Sequence, residues 1–119
     1  MSPADAPPYA EVALPLGIDK TLVYAIPRHL RDAAAPGKRV TVPLGPRIVS
    51  GYLVRLTETA DRADLKALQD GVDPEPLLDG PLLELTQHVA AFYGAPWGEV
   101  IRATLPPGID ASTRRRVRL

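Results

Sequence analysis

In the first half of the chain, apolar and polar positions alternate in short runs, each closed by proline or glycine. Tyr9–Pro15 (YAEVALP) alternates in this way up to Gly17 and predicts a strand. Thr21–Ile26 (TLVYAI), stopped by Pro27, predicts a second, and Arg28–Ala35 a helical turn before the Pro36-Gly37 bend. Arg39–Val42 is a third short strand, with Pro43 ending its hydrogen-bonding edge. After the turn Leu44-Gly-Pro-Arg47, Ile48–Leu56 (IVSGYLVRL) is the longest strand candidate, and Gly51 within it predicts a bulge or bend. Leu65–Leu68 adds a fifth, short strand.

The period changes after Gly71. Asp73-Pro-Glu-Pro76 reads as a rigid connector, and Asp79 can cap a helix with Pro81 in its first turn. Within Pro81–Tyr93, Leu82, Leu85, Val89 and Phe92 recur at helical spacing and predict one apolar stripe toward the core. Gly94-Ala-Pro96 breaks it. Trp97–Leu105 then places Trp97, Val100, Ile101 and Thr104 on one face of a second short helix. The expected fold is mainly β with α: a small OB-like barrel of short strands (9–70), then a helical hairpin (71–106) packed on it as one domain. A disordered Pro/Ala-rich leader (1–8) and a linker to downstream domains (107–119) flank it. Phe92 and Trp97 are assigned to the seam between helices and barrel.

Composition sharpens this picture. With 119 residues the chain suits one domain that needs no staple, and 14 Pro with 9 Gly disfavour long helices or long central strands. Cys is absent, which excludes disulfides, cysteine-held metals and thiol nucleophiles within these residues. No apolar run approaches the ~20 residues of a membrane span, and Met1–Ala10 lacks the features of a secretory signal, so a cytoplasmic chain without a membrane partner is expected.

The formal net charge is zero, but it is segregated. Between Lys20 and Arg55 seven Lys/Arg face only Asp32; between Glu58 and Glu84 eight acids face only Arg62 and Lys66. Four more arginines lie between Arg114 and Leu119, where they could touch phosphate or belong to a linker. Such blocks suit one face toward a polyanion and another that repels it, although charges also cluster on plain solvated faces.

Enzyme chemistry finds little support. No P-loop and no GxGxxG occurs, and His29 and His88 have no partner at metal-ligand spacing. Glu58, Asp61, Asp64 and Asp70 fall in loop-like sequence and read as a solvated acidic surface. Nucleic-acid binding fits better. Lys20, Lys38, Arg39, Arg47 and Arg55 sit beside or within strands and suit phosphates. Tyr24 and Tyr52 are interleaved with them, either as stacking surfaces or as barrel core with hydroxyls at the rim. Gly37 is either a turn residue or a point of close backbone approach to a ligand.

The order of these pieces resembles one family. Val12-Ala-Leu-Pro15, Lys20-Thr-Leu-Val-Tyr24 and Ile26-Pro27 are similar to the amino-terminal strands of the bacterial primosomal protein N′ (PriA) family. Pro36-Gly-Lys-Arg-Val-Thr-Val-Pro-Leu-Gly-Pro-Arg47 with Gly51-Tyr-Leu-Val54 is similar to its "G-x-R-V-x-V-P-[FL]-G" segment and the strand that follows. Leu65-Lys-Ala67, Asp73-x-Glu-Pro76, Phe92-Tyr93, Gly98-Glu-Val100 and Leu105-Pro106 complete the order, so the resemblance runs from Ala10 to about Leu105.

The resemblance implies a non-catalytic 3′ DNA-binding domain of a replication-restart helicase. It would bind the single-stranded 3′ end of the nascent leading strand and branched fork DNA. Downstream domains of the same protein, primosome proteins and single-stranded DNA-binding protein are the implied partners, near the nucleoid. ATP and zinc are implied only for the family's downstream regions, with no cofactor in these 119 residues. The missing P-loop and cysteines suit such a first domain. Carried over by position, the family pocket falls on Leu22, Val23, Tyr24, Gly37 and Lys66, with Lys38 and Arg39 as neighbouring cations. Val23 departs from the family's carboxylate and implies weakened selectivity for a free 3′-hydroxyl. A protein-docking module with little DNA binding is the alternative.

Overall fold

The computed structural model describes residues 8–17, 20–60, 65–69 and 75–105. The expected leader, most of the acidic loop, the connector around Asp73 and the terminal arginines lie outside the described residues. β1 (Tyr9–Ala13), β2 (Leu22–Ala25), β3 (Arg39–Leu44) and β4 (Arg47–Thr57) form a curled antiparallel sheet in the order β2-β1-β4-β3. Pro43 is tolerated inside β3 because that strand stands at the sheet edge, where a missing N–H breaks no inner ladder.

The fifth segment serves as a closure. Residues 65–69 make two isolated bridges, Ala25 to Ala67 and Thr41 to Gln69, instead of a full strand. The Ala25 N–H donates to Lys66 O (2.8 Å), the Leu68 N–H to Ala25 O (2.9 Å) and the Gln69 N–H to Thr41 O (2.7 Å). One short strap thus ties both sheet edges, β2 and β3, and relieves their unpaired backbone groups. Inside the curl, Ala10, Val12, Leu14, Tyr24, Ile26, Val40, Val42, Leu53 and Leu68 form one core. The turn Arg28–Leu30, a single 3₁₀ turn, covers it with Ala34.

The expected bulge occurs elsewhere. Gly51 pairs regularly with Val40, and a Cβ there would stand 2.6 Å from Leu14 Cδ2 and 2.7 Å from Val12 Cγ1. Its glycine makes room for core side chains. The register instead shifts between Glu11 and Val12, whose partners are Arg55 and Leu53, leaving Val54 as the extra residue. This slip lets Leu53 point into the first core while Val54 joins Ala13, Tyr52, Leu78, Leu83 and Ile101 in a second core on the outer face.

Two helices close over that second core. α1 (Gly80–Tyr93) starts at Asp79, whose Oδ1 accepts from the Leu82 N–H (2.9 Å), and ends at Gly94 in the left-handed region, φ 67°. α2 spans Trp97–Thr104. The expected stripe of α1 is corrected here. Leu83, Thr86 and Ala90 are buried, while Leu85 is 55% and Phe92 81% exposed. The buried face is displaced by one residue, about 100° of helix rotation. Thr86 on this face accepts from Trp97 of α2 and Leu83 joins the second core, with Leu82 and Val89 half-buried beside it, whereas Leu85 and Phe92 turn outward. On α2, Ile101 is fully buried and Thr104 is exposed. Trp97 lies in the seam as expected, its Nε1 donating to Thr86 Oγ1 (2.9 Å). Phe92 does not; it meets Tyr93 edge-on at 4.9 Å outside. No helix among the described residues is long and apolar enough to cross a membrane.

Candidate functional site

The strap at residues 65–69 brings part of the expected site together. Leu22, Val23 and Tyr24 lie on β2, and Ala25 beside them bonds to the Lys66 carbonyl. Alternation divides them. Leu22 and Tyr24 point into the barrel, while Val23 stands on the outer face opposite Glu11. The Tyr24 ring is 5% exposed and offers no stacking surface; its hydroxyl donates to Pro43 O across the barrel (2.9 Å). The barrel-core alternative describes Tyr24; Tyr52, 2% exposed, is buried instead in the second core beneath the helices, because it lies on the opposite face of the sheet from Leu53.

Burial raises the Tyr24 phenol above its ordinary value of 10.0, because the phenolate would lose solvation. The neutral form is therefore favoured in the folded state. Its stabilisation is complete below the unfolded value and is lost as pH rises through the folded one. An absorbance titration should show a late-ionising tyrosine that disappears in Tyr24→Phe, whose alkaline loss of stability should also be shallower. Identical alkaline limbs would contradict the assignment.

Gly37, Lys38 and Arg39 form a second group at the start of β3, with Tyr24 reaching toward its other end; a six-residue strand places those ends roughly 17 Å apart. Gly37 has φ 91°, and a Cβ there would stand 2.1 Å from Leu78 O. The close approach that Gly37 permits is thus made by the chain itself, where the Leu77 N–H also donates to Gly37 O (2.8 Å). Lys38 is 9% exposed and its Nζ donates to Ala33 O (2.6 Å), so its charge is turned inward. Arg39 is half-buried and pairs across to Tyr52.

The exposed cations are elsewhere. Lys20, Arg28, Arg47 and Lys66 are exposed, and their side chains are in no ion pair among the described residues. Arg55 is spent on Glu11 (Nη1 to Oε1, 2.5 Å), and Arg31 Nε donates to Ile26 O (3.1 Å). Gly45, in the turn between β3 and β4, has nothing within 4 Å of a Cβ position, so its backbone is open to solvent. The closed seam therefore collects β2, Lys66, the Pro43 end of β3, Gly45 and Arg47. Sequence reasoning does not single out Gly45, in this turn, or Glu11, opposite Val23. The turn motif could have suggested Gly45, but Glu11 emerges only from the strand register.

Known proteins share this chain's features over most of its length. The family model for the PriA 3′DNA-binding domain (3′BD) matches residues 11–106. The replication restart protein PriA of Bacillus subtilis (strain 168) is 28% identical over 116 residues, which is 93% of this chain and 14% of that protein. The probable replication restart protein PriA of Mycobacterium tuberculosis (strain ATCC 25618 / H37Rv) is 32% identical over 90 residues, 75% of this chain and 14% of its own. That of Chlamydia muridarum (strain MoPn / Nigg) is 28% identical over 104 residues, covering 82% and 14%. The chain thus spans 14% of the length of these curated relatives.

Proposed function

The chain belongs to the PriA family of 3′ DNA-binding domains, and from that premise we propose that it captures the 3′ end of a nascent leading strand at stalled forks. The name replication restart protein, carried by the relatives, supports that setting. The observation that carries the reading is the seam: exposed Lys66 lies on the strap bonded to β2, and exposed Arg47 and the open Gly45 backbone lie in the turn beyond Pro43, whose carbonyl accepts from Tyr24 of β2. Lys66 and Arg47 would hold phosphates, and Gly45 would let the terminal sugar approach the main chain. Lys38 contributes structure instead of a phosphate contact, since its amine is bonded inward. ATP and zinc would be handled outside these residues.

Val23 supplies no hydrogen-bonding group, so selectivity for a free 3′-hydroxyl is weakened. Anisotropy titrations with strands ending in a 3′-hydroxyl or a 3′-phosphate, at two salt concentrations, test this. Near-equal, salt-sensitive binding is expected, and Val23→Asp should raise the hydroxyl preference about tenfold. A strong native preference, or none gained by Val23→Asp, would contradict the weakened-end reading. Binding to neither strand would contradict DNA capture itself and favour a second reading, docking of primosome proteins, single-stranded DNA-binding protein or downstream domains. One observation favours that second reading: Leu85, Phe92 and Tyr93 are 55%, 81% and 74% exposed on and beside α1.

A further inference from the structure

A cleft of about 290 Å³ lies between β1, the approach to β2 and the two helices, and Lys66, Gly45 and Arg47 do not line it. Its flat element is the Trp97 indole. Its polar groups come from Glu11, Lys20, Thr21 and Gln87. The indole is held in one orientation, because Nε1 donates to Thr86 Oγ1 (2.9 Å) and that buried hydroxyl donates to Leu83 O (2.6 Å). The Glu11 side chain, 21% exposed, is equally fixed: Thr21 Oγ1 donates to Oε2 (2.6 Å) and Arg55 to Oε1. Each carboxylate oxygen keeps a further acceptor position.

These groups select their ligand. An ionised carboxylate only accepts and so offers phosphate oxygens no hydrogen bond, which disfavours entry of the sugar-phosphate backbone. It accepts from exocyclic amino donors, as carboxylates do toward the cytosine amino group. The Gln87 amide can both donate and accept along a base edge. The indole provides a stacking surface, and exposed Lys20 can meet the phosphate of the same nucleotide outside. The volume stands at the lower end for small-molecule sites, suiting one base and not a dinucleotide.

We propose that this cleft binds one unpaired, amino-bearing nucleobase of a single strand, separately from Lys66, Gly45 and Arg47. The inference rests on the DNA-binding reading above. Trp97 is the sole tryptophan of the chain, which makes it an internal reporter. Short dC, dA and dT homopolymers, labelled for anisotropy, would be titrated while Trp97 emission is followed. Quenching by dC and dA is expected, with dT binding about tenfold more weakly because it has no amino group and its one donor, N3–H, lies between two carbonyl oxygens that the carboxylate repels. Gln87 makes no hydrogen bond among the described residues, so Gln87→Leu should retain thermal stability while reducing the C-over-T ratio. Strands that bind with Trp97 emission unchanged overturn the base pocket and leave DNA binding intact. So does a C-over-T ratio of one, or a ratio that Gln87→Leu does not alter. Absence of binding in both readouts overturns the pocket and the DNA-binding reading together.

Discussion

Gly37→Ala is expected to bring the domain close to unfolding at physiological temperature. Two costs coincide at that residue. Its φ of 91° is a conformation that L side chains rarely adopt, worth about 1–2 kcal/mol on its own. The added Cβ would also stand 2.1 Å from Leu78 O and 3.3 Å from Pro76 Cβ. The first of these contacts is backbone, so no rotamer change relieves it. The 75–79 segment would have to leave β3, taking Leu78 out of the second core and breaking the Leu77 N–H to Gly37 O bond. Together these make a loss of about 4 kcal/mol, against a total of about 5–15 kcal/mol for a domain. Thermal unfolding should move down by roughly 15–30 °C. A shift of less than about 5 °C would mean that the segment yields without cost and that its packing on Gly37 is not structural.

Gly98→Ala should be the next most damaging change, although helix propensity argues the other way. Alanine inside a helix is better than glycine by about 1 kcal/mol. At residue 98, however, a Cβ would meet Leu14 O at 2.3 Å, Leu14 C at 2.4 Å and Pro15 N at 2.8 Å. All three are main-chain atoms at the end of β1, and overpacking of this kind costs about 1–3 kcal/mol or more. The steric effect therefore wins, and α2 must withdraw from the barrel. A net loss of about 2 kcal/mol is expected, with a red shift in Trp97 emission as the neighbouring indole gains water. Calorimetry and fluorescence of the same variant check both. A stabilised Gly98→Ala protein would show that α2 is not held against β1 as closely as its glycine permits.

These two glycines have a common meaning for function. Gly37 seats the 75–79 segment against β3, and Gly98 seats α2 against β1, so the helical pair is fastened to the barrel at two points. The seam with Lys66, Gly45 and Arg47 and the cleft with Trp97 and Gln87 are then presented by one packed body. Loosening at Gly98 should impair the cleft, which that residue lines, before it impairs the seam. Of the residues the resemblance singles out, Val23 faces outward on β2 and Lys66 lies on the strap beside it, whereas Tyr24 is buried in the barrel, Gly37 packs against Leu78 and the Lys38 amine bonds inward to Ala33 O.

Local chemistry was enough to determine the strands, the cap at Asp79, the break at Gly94 and the place of Trp97 in the seam. Alternation, proline φ angles and capping hydrogen bonds involve residues a few positions apart, and the sequence displays those directly. The order of short motifs from Val12 to Leu105 likewise identifies the family from the sequence alone. What lay beyond reach depended on partners distant in the chain. Residues 65–69 close the barrel only because β2 and β3 end up as its two free edges. The stripe Leu82-Leu85-Val89-Phe92 has the right period but stands one position off the buried face of Leu83, Thr86 and Ala90, because the second core and Trp97 of α2 meet the helix there. The bulge between Glu11 and Val12, the inward turn of Tyr24 and the meeting of Glu11 with Val23 follow from strand register, which a period of two leaves undetermined. Periodicity says that an element has an apolar face; which neighbour covers that face, and at what distance, is decided by the packed interior as a whole.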